Sequence, residues 1–231
     1  MMNVVLIHGQ NHQGSSCHMG RMLAQKISAV EEQTEFFLPK DLNHFCTGCY
    51  RCIDNEDACP FYTNKKKILD AIERADVLIF TTPTYCMHAS ASMKAFLDLT
   101  FTNWMVHRPK EYMFRKKAVI FSAAAGMGTK SAIKDIKTAL TYWGISDIHS
   151  YGTAVQAMGW EQVKPEKKML IKKKVIKIAE KLSRNREAKI KFKTKALFWM
   201  MRKMQSAGWG SSPAEKEYWN QQGWLGTSRP W

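Results

Sequence analysis

The stretch Asp76–Thr81, DVLIFT, is an apolar run with one charged residue at its start. A strand with one solvent face alternates polar and apolar residues, whereas an uninterrupted apolar run is typical of a central parallel strand covered on both faces. Residues with helical apolar spacing precede it at Lys66–Arg74 and follow it at Ala91–Thr102. A buried strand between two helices indicates a parallel α/β sheet.

The same alternation extends over most of the chain. Further short apolar runs predict strands at Val4–Ile7, Glu35–Leu38, Ala118–Ser122 and Ile145–Tyr151. Further helical patterns predict helices from about Ser16 to Val30, at Lys130–Trp143 with Gly144 as the terminating residue, and at Pro165–Leu182. Together these elements predict an α/β protein with a doubly wound, five-stranded parallel sheet. In such a sheet, ligands bind beyond the carboxyl ends of the strands.

The composition is that of a chain able to bury a full core, with 231 residues of which 45% are hydrophobic. The N-terminus, MMNVVLIHG, has a short apolar run without a basic segment, so we expect a first strand there and no signal peptide. No run of eighteen apolar residues predicts a membrane span. Six cysteines in such a chain predict reduced thiols or metal ligands, and hence a cytoplasmic protein.

The net charge of +15 is concentrated in one part of the chain. Residues 163–203 hold 16 Lys and Arg against three Glu, so the rest carries only +2. We therefore predict two units, a domain at 1–185 and a basic, helical, Trp-rich extension at 186–231. For the extension we favour packing across the domain or a partner subunit, with membrane-surface contact second. Nucleic acid binding ranks last, so no nucleic acid partner is predicted.

A loop rich in small polar residues follows the first predicted strand. It reads GQNHQGSS over residues 9–16, directly before the first helix. Backbone N–H groups and the positive end of a helix dipole make such a turn an anion site. The alternative is an ordinary turn in which Ser15 or Ser16 caps the helix. The candidate anion-binding residues are Gln10, His12, Gly14, Ser15 and Ser16.

Two more loops follow the third and fourth predicted strands, PTYCMHASASMKAFLD at Pro83–Asp98 and FSAAAGMG at Phe121–Gly128. With the first loop they resemble the three flavin-binding loops of the NAD(P)H-dependent FMN reductase and multimeric flavodoxin superfamily. The resemblance covers about residues 3–150 in the correct order. It departs from the family pattern at Gln10, where the family commonly has Ser, and at His12, where it has Arg.

This resemblance implies a flavodoxin-like fold, FMN as cofactor and NAD(P)H as transient co-substrate. It also implies a homodimer or homotetramer that works as an NAD(P)H-dependent flavin oxidoreductase. Electrons would pass to a quinone, another small-molecule acceptor or a protein acceptor, and no catalytic side chain is assigned because the flavin carries the chemistry. Besides the first loop, the implied FMN-binding residues are Pro83, Thr84, Tyr85, Cys86, Met87, His88, Ser122, Ala123, Ala124, Ala125 and Gly126. Two alternatives are an electron carrier without its own substrate and an interaction module with no flavin.

Four cysteines form a compact motif, Cys46-Thr-Gly-Cys49-Tyr-Arg-Cys52 followed by Cys59-Pro60. Three thiolates at this spacing can bind one face of a cubane cluster, and a fourth can complete its ligation. The motif resembles that of the iron–sulfur flavoproteins, a branch of the same superfamily. It therefore predicts a [4Fe-4S] cluster on Cys46, Cys49, Cys52 and Cys59, with unliganded thiols as the alternative beside it. A zinc site of four thiolates ranks behind both.

Overall fold

The fold is built on a sheet of five parallel strands, described here from a computed structural model that covers residues 2–184, 188–209 and 212–231. The strands are β1 (Val4–His8), β2 (Gln33–Phe37), β3 (Val77–Tyr85), β5 (Lys117–Ala124) and β6 (Asp147–Ala154), in the order β2-β1-β3-β5-β6. A short sixth strand, β4 (His88–Ala89), pairs antiparallel with β3. The predicted doubly wound α/β fold is confirmed, with β4 as an addition that the sequence patterns did not predict.

The described part of the chain contains eight α-helices. They are α1 (Ser15–Ile27), α2 (Arg51–Asp54), α3 (Tyr62–Arg74), α4 (Ala91–Leu99), α5 (Thr129–Tyr142), α6 (Pro165–Arg184), α7 (Phe192–Ala207) and α8 (Pro213–Gln221). None of the helices in the described residues is long and apolar enough to cross a membrane.

Strand β3 lies at the centre of the sheet, where Ile79 pairs with Leu6 of β1 and with Val119 of β5. Residues 77–82 are all buried because α1 and α6 cover one face of the sheet and α3, α4 and α5 cover the other. Burial on both faces is the reason that the DVLIFT run shows no polar alternation.

Two boundaries show where apolar spacing was informative and where it was not. Helix α1 ends at Ile27, so the predicted extension to Val30 is wrong: Val30 lies in a 3₁₀ turn and is 75% exposed. Gly144 follows α5 with a φ of +100°, and a Cβ there would lie 2.8 Å from the Phe114 ring. Both the left-handed backbone and the close ring favour glycine at this helix end.

The C-terminal extension packs on its own chain through a third apolar cluster. Phe198 and Met201 of α7 and Trp219 of α8 are buried there with Trp224 and Phe114. Side chains of the extension also hydrogen-bond the loop after α4: Gln205 Nε2 donates to the Val106 carbonyl (2.6 Å) and Trp219 Nε1 to the His107 carbonyl (2.9 Å). The predicted boundary between 185 and 186 lies outside the described residues.

Candidate functional site

A cleft of about 550 Å³ opens at the carboxyl ends of β1, β3, β5 and β6. Its position is the one at which doubly wound sheets bind ligands. Eleven of the predicted site residues line it: Gln10, His12, Gly14, Ser15, Ser16, Pro83, Thr84, Tyr85, Ala123, Ala124 and Ala125.

The first wall of the cleft is the loop that leads into α1. Gly14 is the N-cap residue of α1 and supplies no side-chain hydrogen bond, so neither Ser15 nor Ser16 caps the helix as the alternative interpretation held. The first turn of α1 contains no acidic residue. The first backbone N–H groups of a helix have no partner within the helix, so this end of α1 presents donors and positive dipole to the cleft.

The first and second loops are tied to each other by Ser90, the N-cap of α4. Its hydroxyl donates to the carbonyl of Gly9 over 2.5 Å, and its backbone N–H donates to the Thr82 hydroxyl over 3.0 Å. A Cβ at Gly9 would lie 2.6 Å from Ser90 Oγ, so only glycine permits this approach. A buried polar contact with Ser90 therefore helps to hold the first loop in place.

The second wall continues into a hairpin that turns away from the cleft. Tyr85 pairs with His88 across a two-residue turn in which Cys86 and Met87 have φ of +48° and +69°. The hairpin is fastened to α5, where Asp135 Oδ2 accepts from the Ala89 N–H over 3.1 Å. Because of this turn, Cys86, Met87 and His88 do not line the cleft with the other predicted residues, and His88 instead lies over Asp135 at 3.0 Å.

The third wall is formed by three consecutive alanines, Ala123–Ala125, at the end of β5. Their small side chains leave room for a flat ligand to approach the backbone. Ser122 is fully buried behind this wall, where its hydroxyl lies 2.9 Å from the Thr84 hydroxyl. Gly126, the last predicted residue of this loop, does not line the cleft.

Three further lining residues were not predicted from the sequence, namely Val155, Ala157 and Met158. They follow β6, and the Val155 N–H donates to the carbonyl of Ala124 over 2.9 Å. The signal that could have identified them is positional: β6 is parallel to β5, so its following loop reaches the same edge.

A buried histidine lies next to the first loop. His8 ends β1, and its Nδ1 lies 2.8 Å from the Thr81 hydroxyl while its Nε2 has no hydrogen-bond partner. Burial lowers the pKa of His8 to about 4, although the Glu35 carboxylate 3.8 Å away acts in the opposite direction. His8 is therefore neutral at neutral pH and adds no charge beside the first loop.

The four cysteines of the compact motif line a different cavity, of about 360 Å³, beside Phe61 and Phe101. Burial raises the pKa of the Cys52 thiol, whereas the backbone N–H of Arg51 lowers that of the exposed Cys49. Across the part of the chain that the structure describes, no group of three or more His, Cys, Asp or Glu side chains is arranged to hold a metal ion. This arrangement does not fit the predicted [4Fe-4S] cluster or a zinc site.

A parallel sheet in this order, with an uncapped helix N-terminus and a cleft at its carboxyl edge, defines a flavodoxin-like protein. The sequence profile of the NADPH-dependent FMN reductase family matches residues 2–158. This match covers more than half of the chain, and the protein belongs to that family.

Individual curated relatives share low sequence identity with this chain over short stretches. The FMN-dependent NADH:quinone oxidoreductase of Hydrogenovibrio crunogenus is 31% identical over 103 residues, which is 39% of this chain and 49% of that protein. An iron–sulfur flavoprotein of Archaeoglobus fulgidus is 22% identical over 98 residues, 42% of this chain and 48% of that protein. The chain thus spans about half the length of the curated relatives it matches.

Among solved structures, the FMN-dependent NADH-azoreductase of Bacillus anthracis, in complex with FMN, superposes with a TM-score of 0.56. The two chains are 13% identical, and the match covers 78% of this chain and 99% of the azoreductase. At this identity the likeness shows the shared fold.

Proposed function

We propose that this protein is an FMN-dependent oxidoreductase that takes electrons from NAD(P)H and delivers them to a quinone or another small acceptor. The observation that carries the proposal is the cleft itself. It joins an uncapped helix N-terminus to a wall of three alanines, and its volume is within the range of cofactor sites. Family membership points to the same cofactor.

The residues of the cleft fit FMN in two parts. The N-terminus of α1, with Ser15 and Ser16, fits the phosphate because it offers backbone donors and has no acidic residue in its own first turn. The walls at Pro83–Tyr85 and Ala123–Ala125 fit the flat ring because small side chains leave their peptide groups accessible. When bound, FMN supplies hydride acceptance and electron delivery, which no side chain of this chain can supply.

The protein itself contributes position, polarity and exclusion of water. Peptide N–H groups of the two ring-facing walls orient the cofactor, and the N-terminal end of the α1 dipole favours its phosphate. Only His12 and Tyr85 bear titratable side chains among the residues lining the cleft in the described part of the chain. No acid or base is assigned because the flavin carries the chemistry, as the resemblance implied.

A quinone acceptor is proposed because one curated relative is named as an NADH:quinone oxidoreductase. We also propose a homo-oligomer, as inferred from the resemblance. The second candidate function, an electron carrier without its own substrate, differs in one measurable respect. It predicts flavin binding without steady-state oxidation of NADH or NADPH.

The test has two stages. Protein purified and titrated with FMN should quench flavin fluorescence with a stoichiometry of about one per chain, and absence of binding would overturn the proposal. The loaded protein should then oxidise NADH or NADPH in the presence of a soluble benzoquinone. Flavin binding with no turnover on either nucleotide would favour the carrier instead. Iron and zinc assays on the same sample test the cysteine motif separately.

A further inference from the structure

Helix α7 has two faces that differ in what covers them. Its inner face is buried against the domain through Phe198, Met201 and Gln205. Its outer face carries Phe192, Trp199 and Met200, which are 85%, 43% and 50% exposed. The described part of the chain therefore uses one side of this helix and leaves an aromatic and apolar side uncovered.

Positive charge surrounds the uncovered face. A groove of about 750 Å³ between α5 and α7 has Ile133, Leu197 and Met200 among its lining residues. Four lysines also line the groove, namely Lys130, Lys134, Lys137 and Lys193. No carboxylate belongs to the groove's described lining. Arg202 of α7 and Arg229 of the C-terminal segment after α8 lie over the Trp199 ring, with guanidinium carbons 4.9 and 4.3 Å from its centroid.

We propose that this face, formed by the outer side of α7 and the lysine-rimmed groove beside α5, docks on the surface of an anionic phospholipid bilayer. Exposed aromatic and apolar side chains flanked by lysines are the features of helices that lie in a membrane interface. Lysines near the surface add electrostatic attraction to anionic headgroups. The helix would rest on the bilayer without entering it as a span.

Charge complementarity selects this occupant over the others. A second copy meeting the same face in a two-fold interface would bring its own four lysines against these four. A nucleic acid would satisfy the lysines but would leave Phe192 and Met200, two of the most exposed apolar side chains on the helix, without an apolar partner. The surface of an anionic bilayer offers headgroups to the lysines and an apolar region to Phe192 and Met200 at the same time.

The test is sedimentation of the full chain with vesicles. Vesicles of phosphatidylcholine and phosphatidylglycerol should bind the protein, with binding that weakens as salt is raised, whereas vesicles of phosphatidylcholine alone should bind it much less. Absence of binding to the anionic vesicles at low salt overturns the proposal.

Two pairs of variants locate the contact. Phe192→Ser with Met200→Ser should lower the partition coefficient at least about tenfold, whereas Val30→Ser, at a 75% exposed apolar residue elsewhere, should leave it unchanged. Lys134→Glu with Lys193→Glu should weaken binding strongly. The matched charge change Lys172→Glu with Lys173→Glu lies on α6, which covers the opposite face of the sheet from α5, and should weaken binding much less.

Equal loss in both lysine pairs would show unspecific attraction by net charge and would overturn the proposed surface. So would tight binding of duplex DNA that depends on Lys134 and Lys193 while vesicles compete poorly. A dimer in analytical ultracentrifugation that dissociates in the Phe192→Ser, Met200→Ser variant would assign the face to a second copy instead. Circular dichroism spectra of all variants should match the parent, since every substituted side chain is exposed.

Discussion

Nδ1 of His107 lies 2.6 Å from Oε1 of Glu215, joining residues 108 positions apart in the chain. Glu215 is only 2% exposed, and its second oxygen accepts from the Ser212 N–H over 2.9 Å, so both carboxylate oxygens have partners. This buried hydrogen bond connects the loop after α4 to helix α8. It helps to hold the basic, Trp-rich extension against the domain at a defined position.

Replacing Glu215 by Ala should destabilise the protein by about 2–3 kcal/mol, because the change removes a buried hydrogen bond to His107 and half of the α8 capping box. Urea unfolding measures the loss. The matched change Glu217→Ala, on the exposed side of the same helix, should cost about 0.5 kcal/mol or less. Equal effects of the two would show that the pair does not fasten the extension.

The low pKa of His8 makes stability depend on pH. The folded-state value of about 4 lies below the ordinary 6.5, so the unfolded chain binds the proton first as the pH falls. The contribution of neutral His8 is present above pH 6.5 and is lost between pH 6.5 and 4, by about 3 kcal/mol in all. His8→Asn should flatten urea-derived stability across this window, whereas replacement of the exposed His12 by Asn should not.

Gly14 offers a direct test of the phosphate position. Gly14→Asp places a capping carboxylate at the N-terminus of α1, where it competes with the phosphate and repels it. FMN affinity should fall at least about tenfold while stability changes by only a few tenths of a kcal/mol. Gly14→Asn caps the helix without the charge and should retain more affinity. Fluorescence titration that finds equal affinities for the two variants would contradict a phosphate at this helix end.

The turn at Cys86 and Met87 stores backbone strain, since both residues have positive φ without being glycine. Met87→Gly should therefore be about 1 kcal/mol more stable than Met87→Ala, because both lose the same side chain but only glycine tolerates the left-handed backbone. Urea unfolding of the two variants measures this difference. An alanine variant as stable as the glycine variant would indicate that the turn is unstrained.

Local patterns predicted the elements of the fold well because they depend on burial along each segment. The DVLIFT run, the strand and helix alternation and the helix end at Gly144 all carry this information in neighbouring residues. The same patterns wrongly extended α1 to Val30, which has helical apolar spacing but lies beyond the end of the helix and is exposed. Prediction failed there at a boundary, where apolar spacing does not report burial.

Burial patterns along the chain were enough to predict the five parallel strands, and the resemblance of three loops to flavin-binding loops led to the eleven predicted residues that line the cleft. Only the folded chain shows that Cys86–His88 turn away toward Asp135 and that Val155, Ala157 and Met158 join the cleft. It also shows which face of α7 is buried. The reason is physical: propensity and apolar period act over a few residues, whereas these outcomes depend on contacts between residues that are tens of positions apart and meet only when the sheet has formed.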